Sequence, residues 1–137
     1  VMVRGENGKL EQRWVQTGKV VWDSYTQIRG GLTPEDYVVI MTNGHEHDFQ
    51  AEVQVLRGET AYVGVIGSRK KTAFVNQRLR EAGIPEEKIA FVHTPVGTAI
   101  KAVTPEEIAV SIAGEMICVR AARREAAGEV HHGCPMH

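Results

Sequence analysis

Unbroken apolar runs that alternate with helical patterns constrain the fold of this chain most. Residues 37–42 and 61–66 are continuous apolar runs, as expected of strands buried on both faces of a parallel sheet. Helical spacing of apolar residues begins at Asp48 after the first run and at Thr72 after the second, and residues 89–92 form a third, short apolar run. This alternation predicts an α/β fold, a mostly parallel sheet with helices on both faces joined by right-handed crossovers.

The clearest helix start lies at residue 104. Thr104 is followed by Pro105 and, three residues after the threonine, by Glu107, which together form a capping box with proline at the first helical position. The apolar residues that follow at helical spacing should form one face of this helix: Ile108, Ile112, Met116 and Val119.

Composition excludes several classes of protein. The net charge of −1 gives no global attraction to nucleic acid, so any basic site must be local. The two cysteines, Cys118 in an apolar helical pattern and Cys134 near the end, do not make a disulfide framework and suit a reducing cytoplasm. We expect Cys118 to be a small buried hydrophobe. No apolar run approaches the roughly 20 residues of a membrane helix, and no signal peptide is visible.

The sequence predicts that the last ten residues, 128–137, form a flexible tail. They contain His131, His132, His137 and Cys134, which leaves open an alternative role in binding a soft metal or carrying sulfur.

A glycine turn followed by three cations points to an anion site. The turn follows the apolar run at 61–66 and opens a helical pattern; its residues are Gly67, Ser68, Arg69, Lys70 and Lys71. Cations in the first turn of a helix are disfavoured by the helix dipole, whereas the free N–H groups there attract anions. The alternative is that these cations simply lie on a solvent-exposed helix face. Their position at the helix start, where the dipole disfavours positive charge, favours a negatively charged ligand.

Two other loops also follow predicted strands. The first holds Gly44, His45, His47 and Asp48, and the second holds Pro95 and Gly97. Because ligands bind at the carboxyl ends of parallel strands, we expect all three loops to share one edge of the sheet and to face a ligand. A metal at His45, His47 and Asp48 is a further alternative, since imidazole and carboxylate suit zinc or iron.

Known nucleotide-binding fingerprints are absent. Residues 64–72 partly match the phosphate-binding loop G-x-x-x-x-G-K-[ST], but the second glycine is not next to the lysine. The dinucleotide-binding fingerprint G-x-G-x-x-G does not occur in the sequence.

These loops together resemble the C-terminal Rossmann-like domain of the XdhC/CoxF family, the xanthine dehydrogenase accessory proteins. The family's T-x-G-H-x-x-D segment is matched at residues 42–48, its I-G-S-R-[RK]-K segment at 66–71, and its P-[IV]-G loop at 95–97. Its T-P-E-E-I-A-V-S-I helix start is matched at 104–112, so the resemblance covers about residues 32–124. It departs from the family at Lys101, where a second glycine is usual, and at Arg4-Gly5, near the usual acidic residues.

Before residue 32 the sequence permits two interpretations. In the first, residues 12–14 and 20–25 resemble the family's second crossover and third strand, with a short strand at 20–22. The domain would then span residues 1–127 and lack the first βα unit of the Rossmann-like sheet. In the second, residues 1–15 form a hairpin that turns at Glu6-Asn7-Gly8.

The resemblance implies a cytoplasmic accessory protein, not an enzyme, that binds molybdenum cofactor (molybdopterin) and delivers it to a xanthine dehydrogenase-type hydroxylase. It also implies contact with a cysteine desulfurase and a homodimeric state. The cofactor-binding residues would be Gly44, His45, His47, Asp48, Gly67, Ser68, Arg69, Lys70, Lys71, Pro95 and Gly97. The alternatives are an NAD(P)-linked oxidoreductase on the same fold, which the absent fingerprint disfavours, and a metal-dependent hydrolase.

Overall fold

In the computed structural model, residues 32–129 are described throughout, together with the backbone of the strand residues 2–4, 10–12, 16–21 and 25–30. The strands are β1 (Met2–Arg4), β2 (Leu10–Gln12), β3 (Gln16–Val21), β4 (Tyr25–Gly30), β5 (Tyr37–Ile40), β6 (Tyr62–Val65) and β7 (Val92–His93). The helices are α1 (His45–Leu56), α2 (Arg69–Glu81), α3 (Glu86–Ala90) and α4 (Pro105–Ala126).

A parallel sheet of order β5-β6-β7 organises residues 32–129. Val38 pairs with Val63, and Val63 in turn with Val92, so β6 lies between its two neighbours. All four residues of β6 are buried, as the continuous apolar run predicted. The predicted α/β, Rossmann-like architecture is therefore confirmed.

Helices cover both faces of this sheet. Alternate strand residues Ile40, Val63 and Val65 join Leu56 of α1 and Leu79 of α2 in the buried core. The opposite face belongs to α4. There the Tyr62 hydroxyl donates a hydrogen bond of 2.5 Å to the Glu115 carboxylate, which fastens α4 to the central strand.

Two predicted boundaries are wrong. Helix α1 begins at His45 and not at Asp48, because Gly44 takes a left-handed φ of 126° that only glycine adopts readily and so starts the helix three residues earlier. Ile89 belongs to α3, and the strand predicted at 89–92 is instead β7, Val92–His93. The turn after Pro85 continues as a short helix whose buried Ile89 imitates a strand residue.

Helix α4 starts as predicted and departs from prediction further along. The Thr104 side chain accepts the Glu107 N–H at 3.2 Å, and the Glu107 carboxylate accepts the Thr104 N–H at 3.1 Å, which completes the capping box. The expectation of a buried Cys118 is wrong, because among the described residues α4 buries only Ser111 and Ile112 and Cys118 lies on its exposed side. Within residues 32–129, no helix is both long and apolar enough to cross a membrane.

The N-terminal residues form antiparallel pairs and not parallel strands. Strand β1 pairs with β2, with Met2 opposite Gln12 and Arg4 opposite Leu10, and β3 pairs with β4. The hairpin interpretation of residues 1–15 is thus confirmed, and the alternative, which makes this stretch the second strand of the parallel sheet, is wrong. Antiparallel strands can pair without a crossover connection, so short strands can satisfy backbone hydrogen bonds with a neighbour that is close in sequence. The proposed turn at 6–8, Trp22 and the tail from residue 130 lie outside the described residues.

Candidate functional site

Three loops meet at the carboxyl edge of the parallel sheet. A cavity of about 10 Å³ there is lined by Asp48 from α1, by Gly67 and Lys71 from the β6–α2 turn and the first turn of α2, and by Thr94 just after β7. The Thr72 and Thr94 hydroxyls are 2.9 Å apart and join the second and third loops directly. The prediction that these loops share one edge is confirmed.

Asp48 is buried at this edge and bound to two neighbouring residues. Only 1% of this residue is exposed. One carboxylate oxygen accepts hydrogen bonds from the Thr42 hydroxyl and, at 3.3 Å, from the Thr42 N–H. The other forms an ion pair with the Lys71 ammonium group. Asp48 therefore ties the end of β5 to the start of α2.

The turn predicted to bind an anion, Gly67–Lys71 (the anion turn), carries two cations that have no partner within residues 32–129. Ser68 is the N-cap of α2, and its hydroxyl accepts the Lys71 N–H at 3.3 Å. The Lys71 side chain lies across Gly67, its Cδ only 3.3 Å from the place a Cβ would take. Arg69 and Lys70 are exposed on the first turn, where the backbone N–H groups have no partner inside the helix. The geometry leaves these two side chains available to an anion.

The two histidines of the first loop do not gather with Asp48 around one point. His45 is exposed, and its ring meets the edge of Phe74 with centroids 5.1 Å apart. His47 Nδ1 lies 3.2 Å from the Asn43 carbonyl oxygen. Within residues 32–129, no three His, Cys, Asp or Glu side chains are arranged to hold a metal ion.

An ion pair clamps α1 to α2 beside the site. The Arg78 guanidinium binds the Glu46 carboxylate through two nitrogens, the longer contact at 3.3 Å, and stacks 4.1 Å above the Phe49 ring. The hydrogen bond from Arg78 lowers the pKa of Glu46 below its ordinary value. This clamp sets the spacing between the helices that carry the histidines and the cations.

The third loop packs against the protein more than it faces the site. The Val96 N–H donates a hydrogen bond of 3.1 Å to the Val65 carbonyl, which attaches the loop to the end of β6. Gly97 has a φ of 105°, and a Cβ there would collide with the Ser111 hydroxyl of α4. Gly97 thus permits the close approach of α4. Earlier in the loop, the peptide bond between Thr94 and Pro95 is cis.

Several polar residues of this edge were not found from the sequence. Glu52, Asn76 and Thr94 line the same cavity, and Glu52 is only 2% exposed. Burial, and next the charge of Asp48, raise the pKa of Glu52 to about 7, with Lys71 acting in the opposite direction. The available signal was the spacing Asp48, Glu52, Leu56, four residues apart, which is the buried side of α1.

A second polar cluster lies under α4, on the other face of the sheet. The Glu115 carboxylate accepts the Tyr62 hydroxyl, and His93 Nδ1 lies 3.4 Å from the same oxygen. Burial and then the bond to Glu115 raise the pKa of Tyr62 well above its ordinary value. Gly64 leaves room for this arrangement, since a Cβ there would stand 2.5 Å from the Tyr62 hydroxyl oxygen.

The chain is similar in sequence to known proteins. The chain is 38% identical over 89 residues to the uncharacterized protein YqeB of Escherichia coli K12, covering 65% of this chain and 16% of that protein. It is 35% identical over 88 residues to a probable xanthine dehydrogenase subunit of Bacillus subtilis 168, covering 64% of this chain and 24% of that one. The chain therefore spans between about a sixth and a quarter of these curated relatives.

The chain is also similar to a solved structure. The crystal structure of a xanthine dehydrogenase from Bacillus halodurans matches with a TM-score of 0.57 and 33% sequence identity, over 69% of this chain and 26% of that chain. The family model described as the XdhC Rossmann domain matches residues 5–116, most of the sequence. With this match, and with the parallel sheet and its loops in place, the chain belongs to the XdhC Rossmann domain family.

Proposed function

We propose that this domain binds molybdenum cofactor through a phosphate held at the Gly67–Lys71 turn, and that the protein delivers the cofactor to a xanthine dehydrogenase-type hydroxylase. The observation that carries the proposal is the pair of exposed cations, Arg69 and Lys70, with no partner among the described residues. They stand at a helix start on the ligand-binding edge of a domain whose family is named for xanthine dehydrogenase.

The residues of the turn fit a phosphate. Molybdopterin ends in a phosphate, or in a pyrophosphate in its dinucleotide forms. The backbone N–H groups of Arg69 and Lys70 and the two side chains supply donors and positive charge for such a group, while the Lys71 N–H is bound to Ser68. Gly67 adds no side chain of its own to the turn, and the stem of Lys71 lies across it.

The structure suggests separate roles for the residues of the first loop. Asp48 already holds Thr42 and Lys71, so it positions the site and does not bind the ligand. His45 is exposed and His47 is half-buried, and both follow Gly44 at the rim of the same edge. They are the side chains of this loop that we propose to face the pterin or metal end of the cofactor.

The proposed role is binding and release of a cargo. The molybdenum chemistry takes place in the hydroxylase after transfer, so the chaperone needs no activated nucleophile of its own. The proposal includes the partners that follow from such a role, namely a molybdenum hydroxylase client, a cysteine desulfurase and a second copy of the chain, in the cytoplasm.

A charge-removal experiment tests the proposal. The double variant Arg69→Ala/Lys70→Ala should bind molybdopterin at least about tenfold more weakly for each charge removed, because a charged contact contributes roughly 1.5–3 kcal/mol. The matched control is Arg57→Ala/Arg124→Ala. It removes the same charge from Arg57, just after α1 at the far end of that helix, and from Arg124 in the last turn of α4.

Binding can be followed by the thermal stability of the protein with and without cofactor. Equal protection of the double variant and the unaltered protein would remove the anion-site argument. Protection by NADP and not by molybdopterin would support the oxidoreductase alternative instead. Mass and absorbance analysis of any ligand that co-purifies with the protein would identify the cargo directly.

A further inference from the structure

Glu52 is a buried carboxyl group next to the anion turn that the proposed binding role does not use. It lies in α1, four residues after Asp48, and lines the cavity at the carboxyl edge of the sheet. Only 2% of the residue is exposed. The Asn76 amide oxygen, also buried at this cavity, has no hydrogen-bond donor within residues 32–129.

The charges around Glu52 come from two helices. Asp48 contributes a negative charge from α1, and Lys71 a positive charge from α2. The other parts of the cavity wall are uncharged: Val65 and Ile66 at the end of β6, Gly67 in the turn, Thr72, Val75 and Asn76 of α2, and Thr94 after β7. The three ionisable groups sum to −1 when Glu52 is ionised and to zero when it is protonated.

We propose that Glu52 is a proton-binding group that couples anion binding at the Gly67–Lys71 turn to the uptake of a proton. The inference deepens the proposed function and rests on it, since the turn is the same anion site. No covalent bond changes, and the proton comes from solvent.

The coupling follows from the position of Lys71. This residue belongs to the first turn of α2, and its side chain lies across Gly67 to reach Asp48. An anion at the turn adds negative charge and attracts the ammonium group away from Asp48. The first change adds negative charge near Glu52 and the second takes positive charge away from it, so the ionised carboxylate becomes less favourable and takes up a proton.

The size of the coupling follows from linkage. Without an anion the pKa of Glu52 is about 7. If the anion raises this pKa by one unit, the dissociation constant should be about fivefold higher at about pH 8 than at about pH 6, because the ionised form binds the anion about tenfold more weakly than the protonated form. A larger shift gives a larger ratio.

Sulfate is a suitable probe because it keeps its two charges throughout this pH range. Its affinity for the unaltered protein, Glu52→Gln and Glu81→Gln is measured at about pH 6 and pH 8 from the sulfate dependence of thermal unfolding. Glu81, an exposed glutamate at the end of α2, is the matched control for the same chemical change. We expect the fivefold ratio in the unaltered protein and in Glu81→Gln, and a clearly smaller one in Glu52→Gln. Any contribution from the nearby histidines is common to all three.

The outcomes separate the two proposals. The same pH ratio in Glu52→Gln and in the unaltered protein would overturn the proton coupling and leave the anion site intact. Absence of sulfate binding at both pH values would overturn the anion site and the coupling with it.

A direct measurement covers the case in which Glu52→Gln does not fold. The carboxyl ¹³C signal of Glu52 in the unaltered protein should titrate near neutral pH and move to higher pH when sulfate is added. A titration midpoint that sulfate leaves in place would refute the coupling.

Discussion

Replacement of Glu52 by glutamine should stabilise the protein at high pH but not at low pH. Glu52 is buried beside Asp48, and its pKa rises from 4.5 to about 7 in the folded chain. A carboxyl group whose pKa is raised by folding gives its full stabilising contribution below pH 4.5, and this contribution is lost as the pH rises through about 7. Glutamine stays neutral and loses nothing over the same range.

The magnitude follows from the shift of the pKa. A rise from 4.5 to about 7 is 2.5 units. With about 1.4 kcal/mol per unit, the whole shift corresponds to about 3.5 kcal/mol of unfolding free energy, of which about 3 kcal/mol is lost between about pH 4.5 and pH 8. The free energy of unfolding of Glu52→Gln minus that of the unaltered protein should therefore increase by about 3 kcal/mol across this range.

Urea denaturation followed by circular dichroism, repeated at several pH values, measures this difference. Glu81→Gln is again the matched control, because its side chain is exposed at the end of α2, and its difference should stay nearly constant with pH. A difference for Glu52→Gln that does not change between about pH 4.5 and pH 8 would refute the argument that burial keeps Glu52 protonated near neutral pH.

Three further substitutions test the packing that positions the site. Gly64→Ala places a Cβ 2.5 Å from the Tyr62 hydroxyl oxygen and should lower the free energy of unfolding by roughly 1–3 kcal/mol, measured by thermal unfolding; unchanged stability would contradict this packing. Thr104→Ala removes the N-cap of α4 and should cost about 1 kcal/mol, whereas Thr104→Ser should retain most of it; equal losses in both would argue against the cap. Tyr62→Phe breaks the bond from β6 to Glu115 and should cost about 1–3 kcal/mol in urea unfolding, and no loss would show that this bond does not hold α4.

The fold of residues 32–129 was largely predictable because its signals are local. The apolar run around β6 and the capping box at Thr104 each depend on residues close together in sequence. What failed depends on packing between distant segments. Cys118 lies in an apolar pattern, yet the described part of the chain covers α4 only near Ser111 and Ile112.

The candidate site was predictable in its location and less so in its roles. The order of strands and helices brought the three loops together, as the sequence indicated. The burial of Asp48 and Glu52 was missed because the apolar pattern placed Phe49 and Val53 on the buried side of α1. The residues buried in the structure are those immediately before them in sequence. An ion pair with Lys71 makes that polar side acceptable in the interior, and a pattern of apolar residues cannot show it.

The position of Lys71 across Gly67 links the choice of residue at these two places. A methyl group at 67 would press on the lysine stem at 3.3 Å, so an alanine there is compatible with a short residue at 71 and crowds a long one. A mutational search should therefore find that larger residues at 67 are tolerated better when residue 71 is short. Residue 71 thus limits which side chains position 67 can accept, whereas Gly67 places no such limit on residue 71.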